Sequence, residues 1–258
     1  MFSLRPRPTG ALLLALTLPF VSVRAENVFV DNFDDGDPAF ADSQPGFWTI
    51  LRQDGNLDSF ATEANGTLRL RAATWPNTYV SLVSQPLEDF GFFTRPVTVT
   101  VEDLALEAKG IEPGEARFKL SLSSRAERAE KAEDVISLRL RPGLLLLGYR
   151  KDGFDLGTAP ETLSGDKSNS VLVQELPALP SRISLTLGPA QKPDHVRYEI
   201  SLQGNGVSLT RSGVFPLGLA EWGRSDSAAI SIDARRDSGS AKAGTMTELS
   251  LGKLTVSR

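Results

Sequence analysis

Cysteine is absent from this sequence of 258 residues, and histidine occurs only once. The chain therefore has no disulfide, no thiol for a metal or a lipid anchor, and no set of imidazoles from which to build a site. Its stability must come from an apolar core, which a chain of this length can bury. The sequence also lacks a phosphate-binding loop, an HExxH motif and a nucleophile elbow. These absences exclude most familiar catalytic routes.

Long apolar runs are missing too, with one exception near the amino terminus. Two arginines precede the apolar segment 11–18, and Val23-Arg24-Ala25 matches the small-residue pattern of a signal peptidase site. The run is about half of the roughly 20 apolar residues that a membrane span needs. We therefore predict a signal peptide over residues 1–25 and a single exported domain over residues 26–258. The mature protein is expected in the periplasm or outside the cell, with no membrane span.

Positive charge is scarce in the predicted mature chain. The whole sequence has 28 basic and 32 acidic residues, and signal cleavage would remove three arginines and no acid. The remaining formal charge of about −7 disfavours nucleic acid as a partner, because such binding depends on neutralising phosphates with lysine and arginine.

Helical periodicity is nearly absent after the signal segment, and period-two alternation of apolar and polar residues recurs instead. This pattern predicts antiparallel strands with at least one buried face, and hence an all-β sandwich. The clearest alternating runs are 68–71, 97–101, 118–122, 183–187, 196–202 and 230–232.

Two turn sequences predict β-hairpins between neighbouring runs. Pro142-Gly143 and Gly204-Asn205-Gly206 supply the residues that such turns need, since glycine and asparagine tolerate a positive φ. After the first turn, residues 144–147 are apolar on both faces, which predicts a strand between two covered surfaces. Residues 125–134 alone favour a helix by composition and predict a short helical excursion or a solvated loop.

The order of the motifs carries a resemblance. The predicted mature chain has F-V-D-N-F-D-D-G-D at residues 29–37, Phe47-Trp48, N-G-T-L-R-L at 65–70, and closing runs at 230–232 and 254–256. This succession resembles the concanavalin A-like lectin/glucanase superfamily, including laminin-G-like domains. The resemblance implies an antiparallel two-sheet jelly-roll whose concave face often holds carbohydrate, sometimes with a structural calcium near the first and last strands. Fold alone does not fix activity.

Four aspartates within seven residues make the opening segment a candidate metal site. Asp31, Asp34, Asp35 and Asp37 offer the hard oxygen ligands that calcium prefers. The segment does not complete an EF-hand loop, and Lys253 stands where the resembling families often place a further acid. Two interpretations stay open: a structural calcium, or a solvated turn in which aspartate side chains hold their own backbone. No other cofactor is predicted.

The residue patterns of the related enzymes are missing. Glucanases of this superfamily carry E-x-D-x-E on one strand, and no such run is present. Its lyases combine tyrosine, histidine and arginine, but His195, Arg197 and Glu199 share one face of a predicted strand while Tyr198 points to the other. His195 is therefore predicted to be a surface residue at a strand edge.

Cations occupy polar positions of several predicted strands in pairs spaced by two. The pairs are Arg69 and Arg71, Arg117 and Lys119, and Arg139 and Arg141. Residues spaced by two project to the same side of a strand, so six cations collect on one face if these strands are neighbours. Such a face would pair with the carboxylates or sulfates of an acidic polysaccharide. The alternative is that these side chains cover apolar strands and discourage edge pairing.

Tryptophan, the usual stacking partner of sugars, occurs three times. Trp75 and Trp222 lie in predicted loops and are candidate stacking platforms, with packing as the alternative for each. Trp48 lies between apolar neighbours and is predicted to be in the core.

These observations predict an exported, non-catalytic carbohydrate-binding or surface-interaction module whose partner is a polysaccharide or other glycan. Two alternatives remain open. One is a glycan-cleaving enzyme, either a glycoside hydrolase or a polysaccharide lyase, whose acids come from separated segments. The other is a structural envelope protein without a small ligand.

Overall fold

Within its described ranges, the computed structural model contains β-strands and one 3₁₀ turn (Pro113–Glu115) but no α-helix. No helix in these ranges is long and apolar enough to cross a membrane. The predicted helical excursion at 125–134 lies outside them. The described residues are 26–42, 47–53, 56–88, 90–124, 135–151, 154–156, 171–192, 195–215, 227–237 and 243–258.

The strands form three antiparallel sheets. The six-stranded sheet has the order β1 (Asn27–Asp31), β18 (Lys253–Ser257), β6 (Val97–Glu102), β13 (Arg182–Pro189), β14 (Val196–Gly204), β15 (Val207–Phe215). The eight-stranded sheet has the order β11 (Phe154–Leu156), β10 (Leu144–Lys151), β9 (Val135–Arg141), β8 (Ala116–Ser123), β16 (Ala229–Arg236), β5 (Thr78–Ser84), β2 (Trp48–Arg52), and β12 (Leu172–Glu175) also pairs with β10. The four-stranded sheet has the order β3 (Phe60–Glu63), β4 (Leu68–Ala73), β17 (Met246–Leu251), β7 (Ala105–Lys109).

The core lies between the six-stranded and eight-stranded sheets. On β8, Phe118, Leu120 and Leu122 are fully buried, and Ile183 and Leu185 on β13 belong to the same apolar cluster. Period-two alternation places these side chains on the inner faces, and their burial supplies the main stabilisation of the fold. The six-stranded and eight-stranded sheets form an antiparallel two-sheet jelly-roll β-sandwich, to which the four-stranded sheet is added, so the predicted all-β fold is confirmed.

Both predicted hairpins are confirmed. Arg141 pairs with Leu144 around Gly143, whose φ is 82°. Gly204 pairs with Val207 around an asparagine and a glycine with φ values of 53° and 79°. The residues from Leu144 to Leu147 are all buried, as their unbroken apolar character predicts.

Two strand pairs bend together where they pass from the six-stranded to the four-stranded sheet. β6 and β18 are neighbours in the first sheet, and their chain continuations β7 and β17 are neighbours in the second. The bend between β6 and β7 lies at Asp103, whose φ is 55°, and the bend between β17 and β18 lies at Gly252. A Cβ on Gly252 would lie 2.7 Å from Oδ2 of Asp103. The two bends are therefore packed directly against each other.

The Gly252→Ala substitution is expected to lower the free energy of unfolding by about 1–3 kcal/mol, because the added methyl overlaps the Asp103 carboxyl. Urea denaturation measures the loss. Asp103→Gly removes the overlapping carboxyl and suits the positive φ, so the double substitution should recover most of the stability. Equal losses with and without the Asp103 change would contradict this packing.

Candidate functional site

The side of the eight-stranded sheet that faces away from the core carries polar side chains on four adjacent strands. Alternation along β8 sends Lys119 and Ser121 to this side, opposite the core residues of the same strand. We call this surface of β5, β16, β8 and β9 the polar face. Its members are Tyr79, Ser81, Arg117, Lys119, Ser121, Ser137, Arg139, Arg141, Ser231, Asp233 and Arg235.

Strand register arranges the polar face in transverse rows. Ser81, Asp233, Lys119 and Arg139 lie in successive register positions across four strands. Directly opposed residues in antiparallel strands have Cβ atoms about 4.5–5.5 Å apart, so their side chains interact. The row is a buried polar strip, because Lys119 is 8% exposed and Asp233 is 1% exposed.

A second row lies nearer the end of the sheet and is more open. Arg235 is opposite Tyr79 on one side and Arg117 on the other, and Arg141 lies one residue beyond the Leu140–Phe118 pair. All four side chains are partly exposed. We call Tyr79, Arg235, Arg117 and Arg141 the basic row.

Acidic side chains only partly balance the cations of the polar face. Asp237, which directly follows β16, has an oxygen 2.5 Å from Nη2 of Arg117 and another 3.6 Å from Nε of Arg235. Asp233 lies opposite Lys119 in the sheet. On the polar face itself and at Asp237, the described residues comprise five cations against two aspartates. The polar face therefore has a net positive charge in an acidic protein.

The structure brings four of the six sequence-predicted cations together and places the other two elsewhere. Arg69 and Arg71 lie on β4 of the four-stranded sheet. Nε and Nη2 of Arg71 donate to one oxygen of Glu248 at 2.9 and 2.7 Å, and its guanidinium lies 4.9 Å from the centre of the Phe60 ring. Arg71 is thus held by an acid and an aromatic ring on its own sheet.

The tryptophans have different environments. Trp48 is 3% exposed and its ring meets Phe29 and Phe47 edge-on, so the predicted core position is confirmed. Trp75 lies in the loop between β4 and β5 and is 37% exposed. Trp222 lies outside the described residues.

The aspartate segment is organised by hydrogen bonds to its own backbone. Oδ1 of Asp31 accepts the N–H of Phe33, and Asp35 and Asp37 likewise accept N–H groups two residues further on, at 2.9–3.0 Å. These bonds are those of the solvated-turn interpretation. No group of three or more acidic or histidine side chains in the described part of the chain is arranged to hold a metal ion. Calcium remains a prediction from the sequence.

Two carboxyl groups at this segment are buried. The indole N–H of Trp48 donates to Oδ2 of Asp31 at 2.7 Å, and burial raises the pKa of Asp31 to about 6 in spite of that bond. Glu63 on β3 is 7% exposed and accepts the N–H of Gly36 at 2.9 Å. Burial, together with the neighbouring Asp35 carboxyl, raises the pKa of Glu63 to about 7. No sequence pattern singles out Glu63.

His195 directly precedes β14 and is partly exposed, as the sequence predicts. Arg197 and Glu199 are exposed, whereas Tyr198 is buried on the opposite side of the strand. The one histidine is therefore on the six-stranded sheet and not on the polar face.

The chain resembles known proteins in fold and not in sequence. It matches no family model and no curated protein sequence. The carbohydrate recognition domain of Emp46p in its potassium-bound form aligns with a TM-score of 0.51 at 12% identity, over 90% of this chain and 98% of that chain. A mutant of the same domain aligns with a TM-score of 0.50 at 12% identity, over 91% and 98%. Lectin II from Ulex europaeus aligns with a TM-score of 0.47 at 8% identity, over 81% and 92%.

At these identities the Emp46p alignments establish the fold alone. The sandwich is a jelly-roll similar in fold to the Emp46p domain. The chemistry of the site has to be argued from this chain's own residues.

Proposed function

We propose that this protein is an exported, non-catalytic carbohydrate-binding module of the concanavalin A-like, laminin-G-like type, and that its polar face binds acidic polysaccharide. The observation that carries the proposal is the clustering of four partly exposed arginines, Arg117, Arg139, Arg141 and Arg235, around the buried Lys119 on three adjacent strands. The Emp46p domain, whose fold is similar, is a carbohydrate recognition domain. The signal-like segment 1–25 supports export to the periplasm or beyond.

The cations suit carboxylates and sulfates for a geometric reason. A guanidinium presents a planar fork of N–H donors that matches two oxygens of one anionic group, and charge-assisted hydrogen bonds are stronger than neutral ones. Arg117 and Arg235 each form an ion pair with a different oxygen of the Asp237 carboxylate. A uronate or sulfate on a sugar chain would take a similar position in the basic row.

The overall acidity of the chain confines binding of a polyanionic glycan to the polar face and makes that binding sensitive to salt. The net charge of about −7 that signal cleavage would leave repels a polyanion elsewhere on the molecule. The Debye length is about 8 Å at physiological salt, so only cations at the point of contact attract the chain strongly. Binding should therefore weaken steeply as salt rises.

Affinity electrophoresis in gels containing alginate, heparin or neutral dextran tests the proposal. We expect alginate or heparin to retard the protein at low salt, less retardation at 0.5 M salt, and none with dextran. Arg139→Gln should weaken retention by roughly tenfold, since a hydrogen bond to a charged group contributes about 1.5 kcal/mol at the lower end of its range. Arg69→Gln is the matched control, because it removes the same charge from a different sheet.

Three results would overturn the proposal in different ways. Equal mobility in all gels would favour the structural-protein alternative. Release of reducing sugars or unsaturated products from the retarding glycan would favour the enzyme alternative. Equal effects of the Arg69 and Arg139 substitutions would show that net charge, and not the polar face, causes retention.

A further inference from the structure

A fully buried arginine lies beneath the loop that carries Trp75. Arg236, the last residue of β16, has no solvent exposure and the largest volume among the fully buried side chains of the described residues. Its Nη1 donates to the carbonyl oxygens of Thr74, at 3.3 Å, and of Trp75. Burial lowers the pKa of Arg236, which reflects the cost of removing a guanidinium from water. The hydrogen bonds that offset this cost are directed at two consecutive residues of one loop.

The same loop is tightly folded and locally strained. Thr74 and Asn77 have φ values of 65° and 48°, in the left-handed region that a β-branched threonine rarely adopts. The N–H of Trp75 donates to the carbonyl of Ala73 only two residues earlier, at 2.7 Å. Backbone of this kind persists only where surrounding structure determines it, and it is concentrated at functional sites.

Buried polar side chains from another segment fix both ends of the loop. Asn56 donates from Nδ2 to the carbonyl of Ala73 at 3.0 Å and to Oγ1 of Thr78 at 2.8 Å. Oγ of Ser59 accepts the N–H of Ala73 at 3.0 Å. Asn56, Ser59 and Thr78 are all buried. The loop from 74 to 77 is therefore held in one conformation from below and from both ends.

This framework presents apolar surface to solvent. Trp75 is 37% exposed, and Leu57, which follows the anchoring Asn56, is 79% exposed. An exposed indole on this fixed backbone offers a flat surface for the apolar side of a sugar ring. Because the loop is already ordered, the protein loses little further conformational entropy when a ligand stacks on it.

The loop and the basic row lie at the same end of the eight-stranded sheet. Arg235 and Arg236 are adjacent on β16 and project to opposite sides. Arg236 reaches the carbonyl of Trp75, while Arg235 lies in register with Tyr79 and Arg117 in the basic row. A ligand that uses both features needs a pyranose ring and an anionic substituent.

We propose that Trp75 is a preformed stacking platform for a pyranose ring of a uronic or sulfated polysaccharide, and that Arg236 is the residue that positions it. The inference rests on the proposed function and adds to it a docking point for the sugar ring at the end of the eight-stranded sheet where the basic row lies. It also makes Arg236 a positioning residue that acts through the Trp75 loop, without contact to the glycan.

Retention in alginate and heparin gels measures the contribution of the platform. Trp75→Ala is expected to weaken retention about tenfold, because the stacking surface is lost, whereas Trp75→Phe should retain most of the binding. Val214→Ala is the matched control, since Val214 is an exposed apolar residue on β15 of the other sheet. That substitution should leave retention unchanged.

A double-mutant cycle separates positioning by Arg236 from a general effect on the fold. Arg236→Gln should weaken retention several-fold, and Arg236→Lys should restore part of it. In the Trp75→Ala background, Arg236→Gln should cause no further loss, because its effect passes through Trp75. Additive losses would overturn the positioning role. If the Arg236 variants fail to fold, acrylamide quenching in a Trp222→Phe background decides, because Trp48 is buried and Trp75 is then the exposed indole. Alginate should protect it from quenching, and no protection overturns the inference.

Failure of this inference is distinguishable from failure of the proposed function. Retention that is lost with Arg139→Gln but unchanged with Trp75→Ala would overturn the platform and leave the basic face in place. Absence of retention for the unmodified protein in both acidic gels would overturn both.

Discussion

Replacing Trp48 with alanine is expected to lower the free energy of unfolding by about 4 kcal/mol. The ring centroid of Trp48 lies 4.9 Å from that of Phe47 and 6.1 Å from that of Phe29, both edge-on, so truncation opens a cavity in an aromatic cluster. It also removes the indole N–H from Oδ2 of the buried Asp31. Denaturation in urea, followed by circular dichroism, measures the loss.

A more conservative change separates the two contributions. Trp48→Phe keeps an aromatic ring but leaves Asp31 without its side-chain donor, which should cost about 1–3 kcal/mol. In an Asp31→Asn background the same substitution should cost less, because the carboxylate is gone. Trp75→Phe is the control at an exposed tryptophan and should stay within about 0.5 kcal/mol of the unmodified protein. A Trp48→Phe variant as stable as the parent would contradict a contribution from the indole–carboxyl bond.

Local alternation was sufficient to predict which residues of a strand share a face, but not which strands share a sheet. Arg117 and Lys119 lie on the same face as Arg139 and Arg141 because β8 and β9, which are consecutive in the chain, also pair with each other in the sheet. Arg71 obeys the same parity, yet its strand pairs with β17, and its ion-pair partner Glu248 is 177 residues away. Long-range strand pairing of this kind leaves no mark in a single sequence.

Arg235 and Arg236 were not predicted from the sequence as members of the site, for two different reasons. Arg235 follows from extending the alternation of Ile230 and Ile232 along β16, a step that parity alone permits. Arg236 occupies a position where the same alternation calls for an apolar residue, and its role is visible only once the loop at 74–77 is folded over it. Its burial is a tertiary effect that overrides residue type.

The stability of the protein is expected to be highest in mildly acidic solution and to fall as the pH rises through 7. The ordinary pKa of 4.5 for Glu63 is raised to about 7 in the folded state, mainly by burial and further by the adjacent Asp35. The ordinary pKa of 3.8 for Asp31 is raised to about 6 by burial. A carboxyl whose pKa is higher in the folded state binds its proton more tightly there, so protonation favours folding. This contribution is fully present below the unfolded pKa and is lost as the pH rises through the folded pKa.

The expected size follows from the shifts. At 1.36 kcal/mol per pKa unit, Glu63 contributes about 2–3 kcal/mol between pH 5 and pH 8, and Asp31 adds a smaller loss at the lower end of that window. Urea denaturation at intervals of half a pH unit measures the slope. Glu63→Gln keeps the shape and an acceptor for the Gly36 N–H but does not ionise, so it should remove most of the dependence between pH 6 and pH 8.

The matched control is Glu107→Gln, because Glu107 on β7 is an exposed carboxyl on the same four-stranded sheet. That variant should show the pH dependence of the parent. Stability that rises between pH 5 and pH 8 would have the wrong sign for a buried, protonated Glu63. It would instead indicate that the carboxylate form is stabilised in the folded protein, as it would be beside a bound cation, and adding a chelator at pH 8 would then identify that cation by a fall in the unfolding temperature.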